Sequence, residues 1–145
     1  MQLPLESSTQ QISLVISQVT APAFLLSAVA SLLSVLSARM SRVVDRSRAI
    51  SGLAATDPRR PGLEGELPEL RRRANFIHRA IYWSVGSGIC ACFLVISAFA
   101  SALLDISHEH GAALLFIFSM GLFTASLVYL AREVRCSASD IDRLE

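Results

Sequence analysis

Four guanidinium groups and one carboxylate crowd into ten residues, Arg39-Met40-Ser41-Arg42-Val43-Val44-Asp45-Arg46-Ser47-Arg48. Two chemistries suit that set. Arginine forks bind phosphate or carboxylate, so the stretch can hold anionic lipid headgroups at a membrane edge. Asp45 lies three residues from both Arg42 and Arg48 and can pair within its own helix. Alternatively it bridges to Arg72 or Arg73 on a neighbouring helix, which would fix how the two helices pair or hold a lipid or partner site. Arg39, Arg42, Asp45, Arg46, Arg48, Arg72 and Arg73 therefore form the candidate structural or lipid-facing motif.

The remaining reactive residues have plainer readings. Arg71-Arg72-Arg73 is a charge run of the solvated, headgroup-facing kind rather than a nucleic-acid site. Asn75 and His78 fall near the same edge. His108-Glu109-His110 lacks a partner at zinc-ligand spacing and reads as a solvated loop. Cys90 and Cys92 point to different sides of a helix. With Ser84, Gly86, Ser87 and Gly88 they suit close helix packing. Three cysteines, Cys136 being the third, give no disulfide framework. No nucleophile–base pair, phosphate loop or metal cluster is present. An enzyme is not expected, and no catalytic residue, metal or cofactor is assigned.

These residues are positioned by long apolar segments. Apolar residues make up 52% of the 145-residue chain and charged ones 17%, a membrane-like balance. No charge interrupts Leu14–Ala38, Ala80–Leu104 or Gly111–Ala131. Each run is long enough to cross a hydrocarbon core of about 30 Å as a helix. None carries the mid-span ionisable residue usual in proton relays and coupled transporters. Residues 39–79 hold ten arginines against five acids. Every other basic residue follows the third run. By the positive-inside rule those two regions face the cytoplasm. The expectation is one domain over residues 1–145, an inner-membrane protein with its N-terminus outside and its C-terminus cytoplasmic. Its spans fall at about 20–38, 80–104 and 112–131, with a cytoplasmic hairpin at about 39–79. No basic n-region precedes the first apolar stretch, so no signal peptide is expected. The lack of lysine reads as compositional bias.

The spacing predicts that the first helix runs from about Ala21 to Ser51, with Pro22 kinking or restarting it and Gly52 closing it. Residues 12–19 either begin the span or lie at the interface. Leu26, Val29, Leu33, Leu36, Met40, Val43, Ser47 and Ile50 alternate by three and four, the spacing of a coiled-coil seam. Ser27, Ser31, Ser34, Ala38 and Ser41 form a second face, small enough for close helix approach in lipid. Pro and Gly keep residues 52–66 irregular. A second helix from Leu67 to about Asp105 carries Leu67, Leu70, Ala74, Ile77, Ile81, Ser84 and Gly88 on its seam. Aligning Arg39 with Arg79 pairs the two helices antiparallel and brings Asp45 beside Arg73. The fold class is thus all-α, with three spans and the first two helices extended as a coiled-coil hairpin.

Four segments together resemble a known family. They are Ala21-Pro22-Ala23-Phe24-Leu25-Leu26, the R-x-x-R-V-V-D-R-x-R core of Arg39–Arg48, Leu70-Arg71-Arg72-Arg73, and Arg132-Glu133-Val134-Arg135. The chain is similar to the uncharacterised bacterial membrane-protein family named domain of unknown function 2721. Relatives often carry Asn before the first arginine, where Ala38 stands here. The resemblance implies an integral membrane protein with no assigned activity and supplies no catalytic residues. The functional expectation is a structural or regulatory assembly subunit, self-associating or bound to a membrane-protein partner, with anionic lipid headgroups around it. A homo-oligomeric channel lined by Ser27, Ser31 and Ser34 is the alternative.

Overall fold

The computed structural model describes residues 4–54, 57–104 and 109–141. It is all-α, with no strand among the described residues. The elements are α1 (Pro4–Ser51), α2 (Arg60–Glu64), α3 (Leu67–Leu104) and α4 (Glu109–Ile141). Stretches within Val19–Ser51, Arg60–Ser101 and His110–Cys136 are long and apolar enough to cross a membrane. By helix length and composition the chain is a multi-pass membrane protein. At 48, 38 and 33 residues, all three long helices exceed the ~20 residues that a bilayer core requires.

Local chemistry explains the helix ends. The Gly52 amide donates to the Arg48 carbonyl at 2.9 Å and the Leu53 amide to Ile50 at 3.3 Å, closing α1. The Leu70 amide donates to the Glu66 carbonyl at 3.0 Å and opens α3. Pro68 lies in that first turn, where an amide has no intrahelical acceptor to lose. Two expectations change. α1 runs through buried Pro22 without restarting, so residues 12–19 are helical and continuous with the first span. The stretch expected to be irregular holds the short helix α2, with Pro61 in its opening turn. Just before it, the Asp57 carboxylate accepts from the Arg59 amide at 2.9 Å and from its guanidinium at 3.3 Å. These bonds, the backbone one first, hold the Asp57 acid below its ordinary value of 3.8.

The chain forms two compact units, each drawing on all three long helices. In the unit of Met1–Ser31 with Ser84–Phe123, the buried residues among those described are Pro22, Leu25 and Val29 from α1, Ser84, Ser87, Ala91 and Leu94 from α3, and Ser119 from α4. A Cβ at Gly88 would stand 3.3 Å from Val29. That contact lies within one residue of the register obtained by aligning Arg39 with Arg79. In the unit of Leu32–Trp83 with Thr124–Glu145, the core is Leu32, Leu36, Val43, Ile50, Leu70, Ile77, Ala80, Ser126 and Glu133. The buried stripe of α1 is rotated from the expected seam. Leu25 and Leu32 are buried, whereas Leu26 and Leu33 are half-buried. A two-helix seam places the stripe on one line, but α1 contacts α4 as well as α3, and its buried face shifts accordingly.

Candidate functional site

Three helices meet on one carboxylate. Glu133 of α4 is fully buried. Its Oε2 accepts from Arg39 Nη1 of α1 at 2.7 Å. Its Oε1 accepts from Arg73 Nη2 of α3 at 3.1 Å and from Arg73 Nε at 3.4 Å. Both carboxylate oxygens are therefore engaged, by guanidinium groups from two different helices. Charge-assisted bonds of this kind are about twice as strong as neutral ones.

The helical repeat puts these residues there. Arg39 follows Leu32 by seven residues, Arg73 precedes Ala80 by seven, and Glu133 follows Ser126 by seven. Each charge continues a row of buried positions as its helix leaves the apolar run. Along α3 and α4 the same rows carry the other polar contacts. Ser126 Oγ donates to the Ala80 carbonyl at 2.7 Å. In the other unit, Ser87 Oγ donates to the Ser119 carbonyl and Ser119 Oγ to the Ser87 carbonyl, each at 2.8 Å. Reciprocal serine bonds join two helices at close approach without exposing a hydroxyl to lipid. Ser84 Oγ, also buried, makes no hydrogen bond in the structure.

The candidate motif divides. Arg39 and Arg73 converge on Glu133, a residue that sequence reasoning quoted only within a family segment. Arg46 pairs with Glu66 through a two-pronged, exposed contact, its shortest bond 2.9 Å. The expected bridge from Asp45 to Arg72 or Arg73 is not formed. Asp45 is exposed. Two residues of helix separate it from buried Val43, a turn of about 200°, so it points away from the core. Arg73 is held by Glu133 instead. Arg42, Arg48 and Arg72 are exposed. Arg72 lies over the Phe76 ring at 5.9 Å and Arg79 over the Tyr129 ring at 6.0 Å.

Asn75 and His78 are exposed, and Cys90 and Cys92 are free thiols. Asp105 and His108 of the expected outer loop lie outside the described residues. Among the described residues no group of His, Cys, Asp and Glu is arranged to hold a metal ion. The signal that would have found the junction is the seven-residue spacing of Ser119, Ser126 and Glu133 at the apolar-to-charged boundary of α4. The arrangement is suited to clamping helices together.

A family model described as a protein of unknown function, DUF2721, matches residues 19–143. No curated protein and no solved structure matches the chain.

Proposed function

The chain belongs to the DUF2721 family of proteins of unknown function, and from that starting point we propose that it is a structural or regulatory subunit that assembles within the membrane. A second copy or a membrane-protein partner packs on the small-residue face of α1. One observation carries this: Ser27, Ser31, Ser34, Ala38 and Ser41 are all exposed, although each of their types permits close backbone approach. The hydroxyls of Ser27 and Ser41 already donate to the Ala23 and Ser37 carbonyls, at 3.3 Å and 3.1 Å. Such hydroxyls demand no partner of their own, so this face meets another helix without stranding a polar group. The bulky stripe of α1, by contrast, is buried within the chain.

In this reading the Arg39–Glu133–Arg73 junction keeps the three helices in place while the outer face of α1 recruits. The buried positions Val43, Ile50, Leu70 and Ile77 support an antiparallel coiled coil beyond the membrane, because each pair is spaced by seven. The concentration of arginine around α1's end and α3's start supports an inner-membrane orientation with the N-terminus outside.

The test is crosslinking in native membranes. In a variant with the three native cysteines replaced, Ser34→Cys is expected to form a crosslinked dimer or a partner adduct, whereas Val35→Cys, exposed but about 100° further round the helix, is not. A chain that stays monomeric and forms no adduct at Ser27, Ser31 or Ser34 refutes assembly through this face. Solute flux from reconstituted liposomes would move the assignment to a channel subunit. Orientation is checked with an impermeant thiol reagent on Arg71→Cys in the same background. Labelling of intact cells from outside would overturn it.

A further inference from the structure

We infer that the face of α3 carrying Arg72, Phe76, Arg79 and Trp83, with Tyr129 of α4, is a site for the headgroup of an anionic phospholipid. The proposal does not depend on assembly through α1. It starts from spacing. Residues 72, 76, 79 and 83 are separated by four, three and four, so they form one stripe along α3. Arg72 and Arg79 stand seven residues apart, about 10 Å along the helix axis. Each guanidinium lies against an aromatic ring, Arg72 over Phe76 at 5.9 Å and Arg79 over Tyr129 at 6.0 Å. Stacking restricts a guanidinium to one plane while leaving its N–H edge free to donate.

The charge balance then points outward. The junction and the loops engage Arg39 and Arg73 with Glu133, Arg46 with Glu66, Arg59 with Asp57 and Arg60 with Glu64. Among the described residues Arg72 and Arg79 form no ion pair, and both are exposed. Glu69, one turn before Arg72, does not pair with it either. Arg132, one turn beyond Tyr129 on α4, adds a third exposed cation. Two stacked, unpaired guanidinium groups fit phosphate oxygens, because the arginine fork matches them in pairs.

The aromatic residues say which source of phosphate fits. Trp83 and Tyr82 follow directly, packed edge to face with ring centroids 5.9 Å apart. Tyr82 is exposed, and the charge-free run of α3 begins at Ala80. Tryptophan and tyrosine at such a boundary settle at headgroup level. A free phosphate ion would use the arginines but would gain nothing from the Tyr82–Trp83 pair at the edge of the apolar run.

The protein is reconstituted in nanodiscs of phosphatidylcholine, alone or mixed with phosphatidylglycerol, and re-extracted. Retained lipid is then counted by native mass spectrometry. The wild-type chain is expected to retain phosphatidylglycerol preferentially. A surface arginine near anionic lipid is worth about a fivefold change in affinity, so Arg72→Gln and Arg79→Gln should each lose about fivefold and the pair about thirtyfold. Neither residue takes part in the Glu133 junction, so the fold should survive both changes. Arg71→Gln, exposed but off the stripe, should lose much less. Tyr129→Leu keeps every charge and should still weaken retention. Equal losses for Arg71, Arg72 and Arg79 would reduce the effect to general surface charge and overturn the site. Displacement of the lipid by inorganic phosphate at matched ionic strength would overturn the lipid assignment.

Discussion

Glu133→Gln removes one charge and keeps the shape, which makes it the sharpest test of the three-helix junction. The Glu133 side chain is 1% exposed, while those of Arg39 and Arg73 are 37% and 25% exposed. Removing one member of a buried ion pair costs about 3–5 kcal/mol when the remaining charge is stranded. Here the stranded groups are two half-exposed guanidiniums, which regain water or headgroup contacts. The cost therefore falls to the low end, about 3 kcal/mol. Arg39→Gln should cost more than Arg73→Gln, because its bond to Glu133 is 2.7 Å against 3.1 Å. Changing both arginines reverses the situation, leaving a fully buried carboxylate with no cation. That double variant should lose about 4 kcal/mol.

Unfolding in detergent, followed by the fluorescence of Trp83, the single tryptophan, measures each variant. The decisive comparison is the triple variant, Arg39→Gln with Arg73→Gln and Glu133→Gln. Once both arginines are gone, neutralising Glu133 should restore stability rather than remove more. Such a sign change is a coupling that independent sites cannot produce. If the triple variant is no more stable than the arginine double, the three residues do not act as one unit. A loss for Glu133→Gln below about 0.5 kcal/mol, the range of ordinary surface substitutions, would refute the magnitude.

Three further outcomes follow from contacts elsewhere. Gly88→Ala should destabilise, because its Cβ would stand 3.3 Å from Val29, whereas Gly121→Ala meets nothing within 4 Å and should be neutral or stabilising through helix propensity; paired melting curves in detergent check both. Ser87→Ala should lose about 0.6–1.7 kcal/mol with its bond to Ser119, while Ser84→Ala removes an unpartnered buried hydroxyl and should be neutral or stabilising; equal losses at the two positions would contradict this. Asp57 has its folded acid constant lowered below 3.8 by Arg59, so its contribution is present above that value and is lost as pH falls through the lowered constant. Proteolysis at the α1–α2 connection should rise only in that acid range, and Asp57→Asn should abolish the change.

The long elements were legible because a membrane imposes them. Uninterrupted apolar runs left few choices for the spans, and the observed bounds of α3, Leu67–Leu104, lie within a residue of the expected ones. α2 was not legible, since Pro61 breaks a helix interior but starts a helix well. The junction was half legible. Arg39 and Arg73 stood out by charge density, yet Asp45 attracted attention only because it was the acid inside the arginine cluster. Its angle from Val43 was already available from the helical repeat and pointed it outward. Glu133 was overlooked because it sits among arginines after the third run, where it reads as an ordinary boundary charge. Only the third helix, packed against the other two, makes it the partner of both.

Why charges should be spent at this point follows from what apolar packing cannot do in lipid. Acyl chains are as apolar as leucine, so hydrophobic burial favours no particular register between spanning helices. Serine contacts discriminate poorly as well. Ser126 donates to a backbone carbonyl at Ala80, and a helix offers an equivalent carbonyl on the same face one heptad away. A slip of seven residues would therefore leave Ser126 satisfied. It would also carry Glu133 to the level of Ala80, about 10 Å from the level of Arg73, and strand a buried carboxylate. The same slip of α4 would separate Glu133 from Arg39 on α1. One acid held by two arginines thus excludes registers that the apolar and serine contacts tolerate. This is the use for which buried ionic groups are best attested, specifying an arrangement rather than adding net stability.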